Sequence, residues 1–190
     1  SAPMPGENNS AYQTFIGYNE PNVSPDPRNK DEALAFANAR FYYTANGGSS
    51  WVPSNDNFCG AHHKNYAASQ IFDPTNPQRY VLGLLDKGLI YTTDGGRTFT
   101  NLGVKAKLGA ALSTGTSING VAMHPDPAEG IIIACSGTET SGQLVRTTDN
   151  GVTWTLIRPA NGKRQWIGFD AGDPNFVYQW NERSADKGAT

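Results

Sequence analysis

Residues 147–154 read Thr147-Thr-Asp149-Asn-Gly151-Val-Thr153-Trp154, and this phrase returns at three other places in the chain. The shared pattern is Ser/Thr-x-Asp-x-Gly-x-Ser/Thr-Trp/Phe. The other copies are Thr44-Ala-Asn46-Gly-Gly48-Ser-Ser50-Trp51, Thr92-Thr-Asp94-Gly-Gly96-Arg-Thr98-Phe99 and Ser184-Ala-Asp186-Lys-Gly188-Ala-Thr190, the last stopping one residue before the expected aromatic. A motif that returns about every 50 residues indicates a repeat architecture.

A second sequence feature, the Asp-Pro dipeptide, recurs at a spacing similar to that of the octapeptide. The Asp-Pro pairs of the chain are Asp26-Pro27, Asp73-Pro74, Asp126-Pro127 and Asp173-Pro174. One pair precedes each copy of the octapeptide. Two marks in one register identify four successive copies of the same structural unit.

The third unit shows most clearly what each repeat folds into. Its apolar segments predict strands at residues 117–124, 131–136, 143–148 and 153–157, with the Asp-Pro turn between the first two strands and the octapeptide between the last two. Short strands separated by Gly, Pro and Asp are typical of all-β proteins. Four strands per repeat predict an all-β fold, a β-propeller of four-stranded antiparallel blades. We expect three to four blades in residues 21–190, the last repeat being truncated, and an extended arm at residues 1–20.

The residue types of the octapeptide suit a tight turn. We expect the Asp149 carboxylate to accept backbone N–H groups one and two residues on, and Gly151 to supply positive φ. The Trp154 ring is expected to enter the apolar gap between blades. In the first copy the Asn46 amide oxygen can accept the same bonds. The positions assigned this structural role are Asn46, Asp94, Asp149 and Asp186, Gly48, Gly96, Gly151 and Gly188, and Trp51, Phe99 and Trp154.

These octapeptides resemble Asp-box (BNR) repeats, which occur in sialidases, xyloglucanase-type glycoside hydrolases, sortilin-like receptors and phage or secreted propellers. The phrases Phe72-Asp73-Pro74-Thr75-Asn76-Pro77 and Gly172-Asp173-Pro174-Asn175 resemble those that precede the boxes of the xyloglucanase-type subgroup. The resemblance covers about residues 20–190. It implies a β-propeller, and it leaves function open because many activities share this fold.

Composition excludes some classes of partner. The chain has 15 basic and 17 acidic residues, and its scattered basic side chains form no footprint for nucleic acid. The longest purely apolar run, from Ile131 to Cys135, is too short for membrane insertion. Cys135 is expected to be a small buried apolar residue, and its pairing with Cys59 stays open.

Strand parity predicts where function lies. Both tight turns of a blade should share one face, so the opposite face gathers the longer, more varied loops, which usually carry binding and catalysis. Candidate ligand-binding residues there are Trp166 and Trp180 for stacking on sugar rings, Arg164 for an anionic group, and His62. The Cys59-x-x-His62-His63 spacing matches no usual ligand set, so we expect neither a metal site nor a cofactor.

Catalysis would need two carboxylates flanking a glycosidic bond. Asp86 occupies a loop that resembles the place of a catalytic Asp in xyloglucanase-type enzymes, so the resemblance implies it as the candidate acid. No partner carboxylate follows from spacing. The sialidase hallmark of a Phe/Tyr-Arg-Ile-Pro element with three converging arginines does not occur in this chain.

Three classes of function stay open. The first is a non-catalytic propeller acting as a structural or interaction module, either a phage tail or virion component or an extracellular adhesion or glycan-binding domain. The second is a secreted glycoside hydrolase of xyloglucanase-like or sialidase-like type. The third is a sortilin-like peptide-binding receptor. Because propellers usually close with four to eight blades, we expect further blades of the same polypeptide, or another protein chain, to complete the ring. A secreted or virion-associated location is expected.

Overall fold

The computed structural model of this chain describes residues 22–26, 29–37, 40–54, 67–73, 76, 78–84, 88–108, 118–137, 142–160, 167–179 and 182–189. The predicted arm at residues 1–20 and Cys59 lie outside these ranges. The strands are β1 (Asn22–Pro25), β2 (Ala33–Ala37), β3 (Arg40–Thr44), β4 (Val52–Pro53), β5 (Ala67–Phe72), β6 (Tyr80–Leu84), β7 (Gly88–Thr92), β8 (Thr100–Asn101), β9 (Ile118–Met123), β10 (Ile132–Gly137), β11 (Gly142–Thr147), β12 (Thr155–Ala160), β13 (Ile167–Phe169), β14 (Val177–Gln179) and β15 (Glu182–Ser184).

These strands form four separate antiparallel sheets in which neighbours in sequence are neighbours in space. We call them blade 1 (β1–β4), blade 2 (β5–β8), blade 3 (β9–β12) and blade 4 (β13–β15). Blade 4 has three strands within the described residues. The prediction of an all-β fold built from propeller blades is confirmed.

Helical structure is limited to two short segments in the described part of the chain. A single α-helix, α1 (Val104–Leu108), follows blade 2, and a 3-10 turn at Pro127–Glu129 joins β9 to β10. Neither segment has the length and apolar character that a bilayer-spanning helix requires. The α-helix was not predicted, and its Val104 and Leu108 join the apolar cluster between blades 2 and 3.

The core lies between blades, because alternate side chains of a strand leave its sheet on opposite sides. In β10, Ile132 and Ala134 belong to the apolar cluster shared with blade 2, whereas Ile133 and Cys135 belong to the cluster shared with blade 4. Blade 2 repeats this division toward blades 1 and 3. A strand buried on both sides explains why the chain's central strands are continuously apolar. Cys135 is buried as expected, and burial raises the pKa of its thiol to about 11.

The two tight turns of every blade meet at one end of the sheet. In each blade the backbone N–H after the Asp or Asn of the box donates to a carbonyl in the turn between the first two strands. These bonds run from Gly47 to Asp31, Gly95 to Gln78, Asn150 to Gly130 and Lys187 to Asn175, at 2.8–2.9 Å. The prediction that both turns share one face is therefore confirmed, and we call this end the box face.

The Asp-Pro pairs do not occupy equivalent places, although their sequence spacing suggested it. The residue that closes the first turn through its backbone N–H is Asp26, Asp73, His124 or Asp170 in the successive blades. It belongs to an Asp-Pro pair only in blades 1 and 2. In blade 3 the pair comes two residues later in a turn that is one residue longer, and in blade 4 it comes three residues later in a turn of unchanged length, so the proline marks the turn without fixing its register.

Candidate functional site

Each box is held by a compact set of hydrogen bonds around its acidic side chain. In blade 3 the Thr147 hydroxyl donates to Asp149 Oδ1 at 2.6 Å, and the Gly151 N–H donates to the Thr147 hydroxyl at 2.9 Å. The Thr153 backbone N–H and hydroxyl both donate to the Asp149 carboxylate, at 2.8 and 2.6 Å. The Asp149 side chain thus joins the end of β11 to the segment that leads into β12.

The donors to that carboxylate differ from those expected from the sequence. We predicted backbone N–H groups one and two residues on. In the first three boxes the N–H groups found are four residues on and belong to Ser50, Thr98 and Thr153, at 2.8–2.9 Å from Asn46, Asp94 and Asp149. In the fourth box the donor to Asp186 is the Ala189 N–H, three residues on, at 3.0 Å. The local prediction was wrong because the residues at the next two positions adopt positive φ, which turns their N–H groups toward other acceptors.

These bonds favour the charged form of the acids. Hydrogen bonds from Thr147 and Thr153 lower the pKa of Asp149 to about 2. For Asp94, burial acts to raise the pKa, but the hydrogen bonds from Thr98 and Thr92 outweigh it and the net shift is downward. Both carboxylates are therefore permanent hydrogen-bond acceptors at neutral pH.

The box glycines have positive φ, and those of blades 2 to 4 also lie close to the preceding blade. Gly48, Gly96, Gly151 and Gly188 have φ of 81°, 91°, 89° and 71°, the positive values predicted for them. Gly96 packs against Leu34 of blade 1, and Gly188 against Ile133 of blade 3. A side chain at either position would force those neighbouring side chains to move.

The box aromatics fill the gaps between blades. Phe99 of blade 2 packs on Phe41 of blade 1 with ring centroids 5.0 Å apart. Trp154 of blade 3 shares a buried cluster with Val81 and Leu89 of blade 2. Trp51 of blade 1 is half-buried and packs against a smaller cluster in its own blade. Each of the two buried rings, Phe99 and Trp154, thus packs against the blade that precedes its own.

A cavity lies between blades 3 and 4. Its volume is about 330 Å³, and its walls include Ile133 and Leu144 of blade 3 and Val177 and Gly188 of blade 4. We call this cavity the 3/4 slot. Its apolar walls and its place between two blades match the gaps that Phe99 and Trp154 occupy.

Polar side chains join neighbouring blades on the box face. Between blades 1 and 2, Arg97 donates to the Tyr43 hydroxyl at 2.7 Å and lies 4.5 Å from that ring's centroid. Between blades 3 and 4, Lys187 contacts Glu129 at 2.8 Å. The junction of blades 2 and 3 includes a bond from Arg79 to Asn150. These residues were not singled out from the sequence, because their partners are distant along the chain.

Sequence reasoning did not predict the role of the side chains that open the first turn of a blade. The Asp73 carboxylate is buried and accepts the Asn76 N–H at 3.2 Å and Arg79 Nη1 at 2.8 Å. At the equivalent place in blade 3, His124 Nδ1 lies 3.1 Å from the Asp126 backbone nitrogen, whose N–H it can accept. An acceptor side chain directly after an apolar strand is the signal that could have found both residues.

A family model matches residues 39–189, which is most of the chain. Its description is Sortilin-Vps10: sortilin, neurotensin receptor 3. The chain belongs to the Sortilin-Vps10 family. No curated protein sequence matches it.

Solved structures similar to this Sortilin-Vps10 chain include glycoside hydrolases and a peptide-bound propeller. An ancestral GH74 enzyme has a TM-score of 0.64 and 20% identity over 88% of this chain and 23% of its own. The GH74 xyloglucanase from Xanthomonas campestris has a TM-score of 0.59 and 17% identity over 90% and 29%. YCF48 bound to D1 peptide has a TM-score of 0.50 and 17% identity over 86% and 56%. Identities this low show a shared fold, and the chain spans only a quarter to a little over half of these relatives.

The predicted ligand-binding and catalytic residues of this Sortilin-Vps10 chain, namely His62, Asp86, Arg164, Trp166 and Trp180, lie outside the described residues. The flanks of Asp86 are described: β6 ends at Leu84 and β7 begins at Gly88, at the end of blade 2 away from its box. Within the described ranges, no three His, Cys, Asp or Glu side chains are grouped as ligands for a metal ion.

Proposed function

We propose that this Sortilin-Vps10 chain forms part of a non-catalytic propeller that acts as a structural or interaction module, in a secreted or virion-associated setting. A peptide or a glycan is the proposed class of ligand. The opposite face from the boxes is its proposed binding surface, with Trp166, Trp180, Arg164 and His62 as contact residues.

The observation that carries this proposal is the state of the described carboxylates. A glycosidase needs a carboxylic acid whose pKa is raised so that it can donate a proton to the leaving group. The acids with shifted pKa values in the described part, Asp94, Glu129, Asp149 and Asp170, are all shifted downward by hydrogen bonds to Thr, Lys or backbone N–H groups. They act as fixed acceptors that hold turns and blades together.

The relatives support an interaction role as well. The family description names a neurotensin receptor, and YCF48 is a propeller of similar fold described as bound to a peptide. A rigid stack of blades with variable loops suits recognition of such a ligand. The proposal includes further blades, from the same polypeptide or from a second chain, that close the ring around these four.

A glycoside hydrolase is the second candidate function. The similarity in fold to two GH74 enzymes favours it, and Asp86 would be its acid. The purified chain should be incubated with xyloglucan, mixed-linkage β-glucan and a sialoside, and released sugar should be measured. We expect no turnover. Turnover that disappears in Asp86→Asn but persists in Asp170→Asn, a turn carboxylate, would overturn the non-catalytic proposal.

A further inference from the structure

The chain contains four Asn-Gly dipeptides, a sequence in which the side-chain amide can react with the backbone nitrogen that follows it. They are Asn46-Gly47, Asn119-Gly120, Asn150-Gly151 and Asn161-Gly162. Glycine favours this reaction because it has no Cβ to hinder the approach of its nitrogen. Asn119 belongs to the extended strand β9, and Asn161 lies outside the described residues. The two pairs in boxes, at residues 46 and 150, can therefore be compared directly.

The backbone nitrogen of Gly151 is placed beside a proton acceptor. Its N–H donates to the Thr147 hydroxyl at 2.9 Å, and that hydroxyl donates to Asp149 Oδ1 at 2.6 Å. One hydroxyl thus connects the nitrogen to a carboxylate, an arrangement that assists removal of the N–H proton and activates the nitrogen as a nucleophile. The boxes of blades 2 and 4 have the same relay, but the residue before their glycine is Gly95 or Lys187, which has no side-chain amide.

The side-chain carbonyl of Asn150 lies against a cation. Arg79 of blade 2 donates through Nη2 to Asn150 Oδ1, and Asn150 itself is exposed to solvent. When a nucleophile adds to Cγ, negative charge develops on this oxygen, and a guanidinium already bonded to it stabilises that charge. An activated nitrogen and a polarised amide therefore belong to adjacent residues of one turn.

The amide of Asn46 in the first box is held differently. Its Oδ1 accepts the Ser50 N–H at 2.9 Å and the Thr44 hydroxyl at 3.0 Å, and its Nδ2 donates to the Ser50 hydroxyl at 2.8 Å. The N–H of Gly47 donates to the backbone carbonyl of Asp31 at 2.9 Å, and a carbonyl cannot pass the proton on. This amide is fixed as part of the turn, and the nitrogen after it has no relay.

We propose that Asn150 is a site of spontaneous deamidation in the folded chain. Arg79 and Thr147 promote attack of the Gly151 nitrogen on Asn150 Cγ. The nitrogen bonds to Cγ as its proton leaves through the Thr147 hydroxyl, and Nδ2 takes up a proton and departs as ammonia. Water then opens the resulting succinimide at either carbonyl, which gives aspartate or isoaspartate without any change of oxidation state. Both products place a carboxylate beside Arg79 at the junction of blades 2 and 3.

Peptide mapping by mass spectrometry tests the site in the full folded chain, incubated in mildly alkaline buffer. Replacement of the amide by a carboxyl raises the mass of the peptide that contains residue 46 or residue 150. We expect Asn150 to deamidate at least about tenfold faster than Asn46, which corresponds to about 1.4 kcal/mol in activation free energy. In guanidinium chloride the contacts of both side chains are lost, so the two rates should come within about threefold of each other.

Two variants test the part played by Arg79. Arg79→Lys keeps a positive charge near Asp73 but loses the planar fork that reaches two partners. Arg97→Lys makes the same change at the junction of blades 1 and 2 and serves as the control. Circular dichroism should first show that both variants keep the sheet signal. We expect Arg79→Lys to slow deamidation at Asn150 about fivefold or more and Arg97→Lys to leave it within about twofold.

Equal rates at Asn46 and Asn150 in the folded chain, or absence of deamidation at Asn150, would overturn the site. Equal effects of the two variants would overturn the role of Arg79 in the reaction. The inference does not depend on ligand binding or on glycan hydrolysis, so its failure and that of the proposed function are distinguishable.

Discussion

Gly151 in the box of blade 3 lies directly against Leu102, the residue that follows the last strand of blade 2. A Cβ built on Gly151 would stand 2.9 Å from Leu102 Cδ2, and Gly151 also has a φ of 89°. One residue thus combines a backbone conformation that favours glycine with a close contact between blades.

Gly151→Ala should therefore destabilise the chain more than a change that meets only one of these constraints. Gly47 has a φ of 64°, and its nearest neighbour to a built Cβ is 3.6 Å away, so Gly47→Ala tests the backbone alone. We expect a loss of about 1–2 kcal/mol for Gly47→Ala from left-handed strain and about 2–4 kcal/mol for Gly151→Ala once overpacking is added. Urea denaturation with an unchanged m-value measures both, and equal losses would show that Leu102 moves aside freely.

The first box predicts how the others respond to loss of charge. Asn46 accepts the Ser50 N–H at 2.9 Å and donates through Nδ2 to the Ser50 hydroxyl at 2.8 Å, so an amide can hold this turn. Asp94→Asn should therefore cost less stability than Asp94→Ala. Alanine would leave the Thr98 N–H without its acceptor, a loss of about 0.5–2 kcal/mol by analogy with helix caps. Thermal unfolding ranks the variants, and an Asn variant as unstable as the Ala variant would contradict this account.

Acid should weaken the fold through Asp149. Its pKa falls from 3.8 to about 2 on folding, so the unfolded state binds a proton at higher pH than the folded state does. The resulting stabilisation is fully present above pH 4 and is lost as the pH falls toward 2. We expect Asp149→Asn to lose less stability than the parent chain between pH 4 and pH 2. Parallel plots of unfolding free energy against pH for the variant and the parent chain would mean that the Asp149 carboxylate is not preferentially charged in the folded state.

Arg79 neutralises a buried carboxylate and reaches the next blade. Its Nη1 lies 2.8 Å from Asp73 Oδ2, and the Asp73 side chain is 1% exposed. Arg79→Met should cost about 3–5 kcal/mol because it leaves a buried charge without its partner. Adding Asp73→Asn should recover part of that loss, and guanidinium unfolding of the double-mutant cycle measures the coupling. Additive losses would show that the pair contributes no net coupling.

Trp154 should tolerate phenylalanine but not alanine. Its indole N–H is buried and has no hydrogen-bond partner among the described residues, and Phe99 occupies the equivalent place one blade earlier. Trp154→Phe should change stability by less than about 1.5 kcal/mol, whereas Trp154→Ala should lose about 3–5 kcal/mol. Half-buried Trp51 serves as the control, because Trp51→Ala should cost less. Chemical denaturation of the three variants decides the order.

The repeat made the fold predictable, because the same turn motif occurs four times in the sequence. In blade 3 the predicted strand at residues 131–136 corresponds to Ile132–Gly137, and the one at 143–148 to Gly142–Thr147. The boundaries of these two strands were off by one residue, whereas the strand predicted at 153–157 is Thr155–Ala160. The positive φ of the box glycines followed from residue type alone.

The contacts between blades could not be predicted in the same way. Arg79 and Asn150 come together only because whole sheets stack, and no local pattern links residues 71 positions apart. The turn after residue 124 was predicted, but the role of His124 in it was not, because its imidazole replaces the carboxylate that the Asp-Pro pattern led us to expect. The predicted ligand residues lie outside the described residues, in segments that the sequence predicts to be loops, and loops carry no hydrophobic period from which contacts could be predicted.

The direction in which the box rings point has a consequence for the order of folding. Phe99 covers a face of blade 1, and Trp154 covers a face of blade 2, so each ring arrives with the blade made afterwards. During synthesis from the N-terminus, a blade that has left the ribosome therefore has one apolar face exposed to solvent until the next box is translated. We therefore expect the folding of each blade to be completed only when the next blade has been translated. A pause in translation between two boxes should prolong the time for which that surface is exposed to chaperones or to aggregation.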